Sequence, residues 1–398
     1  MTTSDIGRRA VDLLDPGFYQ DRVGMHEAFT WMRAHEPVYR DHVNGLWAIT
    51  RHADLQEVER RSAVFTSDHA YRAVPAVEEV NMIAQDDPRH RQQRMLVQGE
   101  FTGAAVAARR PEIDALATEL IDALCARDEM EVVEALAGQL PARLTCRLLG
   151  YPEDTWRDVK SWSERLMRTD MRERDPQVMT EFIDANMEFV QALTPIAQAR
   201  AGCPAHDLIS TWVHATIDGE PLPPQAIVHE VGLFISGGAE TTRTAISHGL
   251  RVFADHPEQW EAMAADPSLV PAAVEEVLRW VTPLNNMFRL AAADADVGGQ
   301  PIARGDRIIM LYPSANRDEA VFTDPFAFDI RRHPNPQIAF GFGTHLCLGT
   351  HVARSTLAAV FGHLSQRITA LRVVTEPDVE PNIFAGAVRS FRLAYAVR

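Results

Sequence analysis

Residues Phe340 to Gly349 read FGFGTHLCLG, and they decide how the rest of this 398-residue chain is to be read. A cysteine that gives a thiolate to iron needs three things. These are a rigid loop, glycines that let backbone N–H groups approach the sulfur, and a following helix whose N-terminus favours negative charge. Gly341 and Gly343 supply the turn before Cys347, Gly349 permits close approach after it, and Val352 to Leu364 continue with helical spacing. Phe340 is placed to cover the loop from solvent. The plainer reading is a buried free cysteine at a helix start. The pattern Phe-x-x-Gly-x-x-x-Cys-x-Gly, however, arises by chance in on the order of one such chain in a thousand. A dinucleotide loop fails, because Leu346 stands where its third glycine belongs. A protein-only metal site from His333, His345, Cys347 and His351 remains, with a spacing that matches no familiar zinc pattern.

Around this loop the composition is that of a folded globular chain: 46% hydrophobic and 24% charged residues exclude low-complexity, collagen-like and disordered classes. Lys+Arg 39 against Asp+Glu 55 gives −16, a field that repels phosphate backbones and anionic membranes, so no nucleic-acid partner is expected. Cys125, Cys146, Cys203 and Cys347 are scattered without a Cys-x-x-Cys pair, which argues against a disulfide framework and for a reducing compartment. The opening MTTSDIGRRAVDLLDPGFY has no apolar signal-peptide core, and no run approaches the ~20 apolar residues of a membrane helix. A cytoplasmic protein without a membrane anchor is expected.

Apolar spacing of three and four over most of the first 270 residues predicts many packed helices. Asp87-Pro88 opens one through Leu96, and Arg110-Pro111 opens another to about Ala126, since proline in a first turn loses no hydrogen bond. The longest pattern runs from Pro224 to about Asp255, on the order of 45 Å at 1.5 Å per residue. Pro37 to Arg40 and Gly45 to Thr50 predict a hairpin. Phe288 to Val297 and Pro301 to Tyr312 alternate as strands, so the β-rich portions fall at about 37–50 and 288–312. With no internal repeat and no Gly/Ser linker, the expectation is one domain over residues 1–398, mainly α with small β-sheets.

Two further constellations carry chemistry. In the middle of the long helix stands Ser236-Gly237-Gly238-Ala239-Glu240-Thr241-Thr242, where each glycine weakens the helix by roughly 1 kcal/mol relative to alanine. A small molecule against the bared backbone, with Thr241 and Glu240 as proton donors, would offset that; close helix packing at the glycines is the alternative. The other is Glu276-Val277-Leu278-Arg279, an acid and a base one turn apart among apolar neighbours, with Arg332 able to close a charged network.

Taken in this order, the three segments resemble the cytochrome P-450 superfamily of haem-thiolate monooxygenases, over essentially the whole chain. The resemblance implies the cytochrome P-450 fold, with haem b held between the long central helix and the cysteine loop. It makes Cys347 the axial ligand of the haem iron, Gly238, Glu240 and Thr241 the oxygen-activating groove, and Glu276, Arg279 and Arg332 a structural charged triad. Phe340, Gly341 and Gly349 belong to the haem-binding loop. His90 and Arg94, with Arg289 and His345, match the positions that anchor the haem propionates; by spacing alone a His/Arg pair on a helix reads as solvated. The implied reaction inserts one atom of O₂ into a C–H bond, with the thiolate pushing electron density onto iron and the acid–alcohol pair delivering protons.

No flavin or iron–sulfur motif is found in the chain, so a ferredoxin and its reductase are implied as partners. Arg89, Arg91, Arg109, Arg110 and Arg354 are candidates for a basic docking patch, against the alternative that they are merely solvated. Candidate pocket residues are Met82, Ile83, Phe234, Leu284, Met287 and Phe384, joined by Val74, Val77, Ile383 and Val388, with Asn285 and Asn286 adding polar groups. An apolar pocket calls for a lipophilic small molecule. Asn286 to Arg289, Ser314 to Phe322 and the cysteine loop are similar to actinobacterial steroid and branched-lipid hydroxylases. Arg72, Glu78 and Glu79 would equally suit a polyketide or other secondary metabolite. A non-catalytic haem sensor is the alternative of another class; the acid–alcohol pair argues against it.

Overall fold

The computed structural model describes residues 11–75 and 79–398, so Val77 and Glu78 lie outside the described residues. Its backbone is the long helix, Pro224–Asp255, starting at the predicted proline and buried along most of its length. Toward its C-terminus Ala245, Ile246, Leu250 and Phe253 join an apolar cluster shared with the helices Gly103–Leu124, Val270–Val281 and Thr350–Arg367. Toward its N-terminus Val231, Ile235 and Ala239 join a second cluster with the helices Trp156–Leu166 and Pro176–Gly202. The glycine notch falls within this second stretch, between Ile235 and Ala239. Phe253 meets Trp260, Phe328 and Phe361 edge-on at 5.1, 5.4 and 5.5 Å, a packing whose loss to alanine costs about 3–5 kcal/mol.

A five-stranded sheet has the order Val38–Asp41, Leu46–Ile49, Arg307–Leu311, Asn286–Ala291, Phe65–Thr66. The predicted hairpin is present, pairing Val38 with Ile49. The predicted strand from Phe288 to Val297 is instead cut after Ala291, and Ala295–Val297 pairs separately with Gln300–Ile302. Asp294 and Asp296 explain the break: their carboxylates accept from Arg304 N at 2.8 Å and Gly299 N at 2.9 Å, which favours turns over a continued ladder.

Two other expectations change. The helix assigned to start at Pro111 begins at Gly103, because Thr102 caps it by accepting from Ala105 N at 3.2 Å. Pro111 is tolerated inside because it and Ala107, whose carbonyl it leaves unbonded, both face solvent. The longest strands, Ile368–Val379 and Val388–Val397, lie beyond both β-rich portions read from the sequence. Their ladder carries register shifts at Thr369/Arg372, Val373/Thr375 and Thr375/Asp378, which erase the period of two that betrays a strand. Among the described residues no helix is long and apolar enough to cross a membrane.

Candidate active site

The cysteine loop is held by its glycines. Gly341 and Gly343 take φ of +71° and +68°, and a Cβ on Gly343 would lie 2.4 Å from the carbonyl oxygen of Glu59. Cys347 N donates to Phe340 O at 3.0 Å, and the helix Thr350–Arg367 starts just beyond. The sulfur is open to a large internal cavity and otherwise enclosed by protein. Burial pushes the thiol up, against the pull of Gly349 N–H, the Thr350 hydroxyl, Arg94 and Arg354. Such a thiol would release its proton to solvent when a metal cation binds the sulfur.

Gly237, Gly238 and Thr241 of the long helix border the same cavity. The two glycines do different work. A Cβ on Gly237 would meet nothing within 4 Å, whereas one on Gly238 would lie 2.7 Å from Thr145 Oγ1. Both glycines thus border the cavity, Gly237 with open space where a Cβ would stand and Gly238 with Thr145, itself a lining residue, packed close against it. Thr241 Oγ1 donates to Gly237 O at 3.0 Å. Glu240 departs from the expectation that it stands beside the groove: it does not border the cavity, and its Oε1 accepts from Arg243 Nη2 at 2.6 Å. Arg243 is shared with Glu164, which in turn meets Lys160 at 3.0 Å. Burial dominates, and with Glu164 and Glu380 it pushes Glu240 up to about 7 in spite of Arg243.

One edge of the cavity is basic. His90, Arg94, Arg289 and His345 all border it, and the two imidazoles lie 4.2 Å apart. His345 Nε2 is buried without a hydrogen-bond partner. Burial, then Arg289, His90 and Arg94, hold His345 down at about 2, so it is neutral. Sequence reasoning missed Glu59 here. It is 4% exposed, accepts from Tyr312 Oη at 2.7 Å, and sits 3.9 Å from Arg289. Burial pushes it up to about 7 against Arg289 and Tyr312. Its only sequence signal is a charge on the apolar side of the helix His52–Arg60, beside Leu55 and Val58.

Met82, Ile83, Phe234, Leu284, Met287 and Phe384 line the cavity. Val74, Ile383 and Val388 are buried but do not border it. Asn285 and Asn286 are not pocket groups: their Nδ2 atoms donate to Ile383 O at 3.2 and 2.9 Å and latch the C-terminal turn. Arg72, named from the sequence as suited to a polyketide, lines the cavity, and so does its neighbour Tyr71. Away from it, Glu276 accepts from Arg279 Nη2 at 2.7 Å and Arg332 Nε at 3.2 Å, closing the charged triad. Of the five patch arginines, Arg109 pairs with Glu100, Arg110 with Asp114 at 2.8 Å and Arg354 with Glu275 at 2.5 Å. Arg89 and Arg91 have no ion pair among the described residues.

The donor set fits a haem. A lone thiol, a basic edge with an orphaned imidazole nitrogen, and apolar walls match a metalloporphyrin with two carboxylates. The protein-only metal site is not formed: among the described residues no three His, Cys, Asp or Glu are grouped to hold a metal ion.

Comparison with known proteins agrees with this geometry. A family model described as Cytochrome P450 matches residues 158–386. The chain is 38% identical over 378 residues to the steroid C26-monooxygenase of Mycobacterium tuberculosis, covering 93% of this chain and 92% of that protein. It is 31% identical over 376 residues to linalool 8-monooxygenase of Pseudomonas putida, covering 90% and 92%. Among solved structures, a Mycobacterium marinum cytochrome P450 in complex with pseudoionone superposes with a TM-score of 0.90 at 32% identity, covering 97% and 98% of the two chains. A Bacillus megaterium cytochrome P450 in complex with testosterone gives 0.86 at 27% identity, covering 94% and 98%.

Proposed function

We propose, because this chain belongs to the cytochrome P450 family, that it hydroxylates a steroid or branched lipid, with residues 1–398 acting as one catalytic domain. It is a monooxygenase and uses haem iron, O₂, a redox partner and a lipophilic substrate. The finer assignments that follow are our reading. The observation that carries it is the Cys347 thiol opening onto the apolar cavity that Gly237 and Thr241 border. Four relatives named steroid C26-monooxygenases support the steroid. The polar pair Tyr71 and Arg72 in the lining favours the second reading, a polyketide or other secondary metabolite.

The group is read as haem b, because the sequence has no Cys-x-x-Cys-His for covalent attachment. Once bound, it supplies the iron at which one atom of O₂ is transferred to a C–H bond. Cys347 would ligate that iron, and His90, Arg94, Arg289 and His345 would hold the propionates. Thr241 keeps a hydroxyl proton at the cavity wall, parked on the Gly237 carbonyl at 3.0 Å. Glu240 supplies protons from behind the helix, its Oε2 left without a partner. Met82, Ile83, Leu284 and Phe384 exclude water and hold the lipid. Arg89 and Arg91 are the cations open to an acidic ferredoxin, with a ferredoxin reductase behind it.

The test is optical and then chemical. Reduced protein under carbon monoxide is expected to show the far-red Soret band of a thiolate haem, and Cys347→Ala to abolish it. A C27 steroid ketone with surrogate ferredoxin and reductase should then give a hydroxylated product. A pigment unchanged by Cys347→Ala sinks the assignment. Oxygen uptake without product from any lipophilic compound would return the chain to a sensor.

A further inference from the structure

Arg72 is only 7% exposed, yet it borders the cavity. Its guanidinium lies 4.5 Å above the Phe384 ring and 5.2 Å from the Tyr71 ring, a seat on ring faces with one side-chain hydrogen bond, to Tyr71. Nε and Nη1 are buried with no hydrogen-bond partner. A buried donor left unmade is costly, so a guanidinium kept here calls for an acceptor that none of the described residues provides.

The nearby acids compensate its charge without taking its donors. Asp170 Oδ1 accepts from Val74 N at 3.3 Å, and Glu79 accepts from Tyr71 Oη and from Asn81 Nδ2 at 3.2 Å. Arg172 and Arg307, which also act on Asp170, spend N–H groups on Thr169, Pro75 and Ala73. Tyr71, Asp170 and Glu79 together hold Arg72 charged in spite of its burial. A carboxylate arriving there meets two acids already in place. A neutral carbonyl meets only free donors.

We propose that Arg72 is a substrate anchor that binds the neutral ketone oxygen of a lipophilic molecule, in the part of the cavity walled by Tyr71, Met287 and Phe384. This rests on the proposed oxidation of a lipophilic compound in this cavity, and adds the polar group by which the compound is recognised. Met287 joins the neighbourhoods of Tyr71 and Phe384, packing with both, so the anchor and the C-terminal turn form one subsite. A site built to donate discriminates against the analogue that lacks the acceptor.

The experiment uses the haem-loaded full chain and reads the spin-state shift of the Soret band on binding, not turnover. Two pairs are titrated: a C27 steroid 3-ketone against its 3-deoxy hydrocarbon, and an acyclic isoprenoid ketone against its hydrocarbon. At least one ketone should bind about 10- to 100-fold tighter than its hydrocarbon, as expected for a hydrogen bond to a charged donor. Arg72→Leu should erase that preference while leaving hydrocarbon affinity within about twofold, and Arg72→Lys should restore part of it. Equal loss for ketone and hydrocarbon in Arg72→Leu would make Arg72 a structural prop and overturn the proposal. So would a carboxylic acid that outbinds the matching ketone. If Arg72→Leu takes up no haem, the unmodified chain decides, and equal affinities within both pairs overturn the anchor. If the steroids bind not at all while the isoprenoid pair discriminates through Arg72, the anchor stands and the steroid reading falls.

Discussion

Glu240 Oε1 accepts from Arg243 Nη2 at 2.6 Å, one turn along the same helix, and so stands off the cavity that its neighbour Thr241 borders. Burial lifts its carboxyl to about 7. An ordinary glutamate near 4.5 has lost its proton at neutral pH, whereas this one keeps it below about 7 and gives it up above. Product formation is therefore expected to fall as pH rises through 7. Glu240→Gln should flatten that profile and lower turnover by about 100-fold, with the carbon monoxide spectrum unchanged. Thr241→Ala should go on consuming reductant while O₂ leaves as hydrogen peroxide. A pH profile in Glu240→Gln that still bends at 7 counts against Glu240 as the proton supply.

The paired glycines should separate in experiment. Gly238→Ala pushes a methyl group to 2.7 Å from Thr145 Oγ1, a clash worth about 1–3 kcal/mol that exceeds the roughly 1 kcal/mol gained in helix propensity. Thr145→Ala in the same chain should recover most of the loss. Gly237→Ala meets nothing, so it should stabilise the holoprotein by about 1 kcal/mol while weakening binding of bulky ligands. Denaturant titration and ligand titration of the three variants check both halves.

These residues also show how far the sequence could be read. FGFGTHLCLG was legible because positive φ at Gly341 and Gly343 and a backbone contact at Gly343 leave no room for other residues. The long helix was legible because proline marks its start and its apolar spacing never breaks. The placing of Glu240 could have been read too: successive residues on a helix point about 100° apart. Phe234, Gly237, Gly238, Thr241 and Ala245 share the cavity face by spacing, and Glu240 falls off it toward Arg243. Arg72 was legible only as a polar residue of the substrate segment, since its seat depends on the ring of Phe384, far along the chain. The C-terminal strands were hidden by their own bulges.

His248 sets a stability prediction in acid. Its Nε2 is 2.9 Å from Gly386 O, and burial with the nearby Arg22 holds it down at about 3. The unfolded chain takes up a proton below about 6.5 and the folded chain does not. Stability from this group is thus present above 6.5 and is lost as pH falls toward 3, by at most about 1.4 kcal/mol per pH unit. His248→Gln keeps a donor and cannot titrate, so its unfolding midpoint should fall less steeply between pH 6.5 and 4.5 than that of the unmodified chain. Parallel slopes in denaturant melts would show that His248 does not carry the effect.

The charged triad should behave as a clamp on the approach to the cysteine loop. Glu276 and Arg279 are both 0% exposed. Arg279 also donates to the carbonyls of Asn316 at 3.0 Å, Pro325 at 2.8 Å and Ala327 at 3.0 Å. Glu276 accepts in addition from Asp329 N at 2.9 Å and Asn335 Nδ2 at 3.1 Å. One ion pair thus ties the helix Val270–Val281 to the segment leading into Phe340. Removing one partner strands a buried charge, so Glu276→Gln should cost about 3–5 kcal/mol. Arg279→Met should cost at least as much, since three carbonyls lose their donors with it. If the pair acts as a unit, the double variant loses clearly less than the two single losses added. Haem retention should fall in the same order as stability, because the loop that presents Cys347 is moored through this segment. Full haem retention in a variant that has lost 3 kcal/mol or more would break that link.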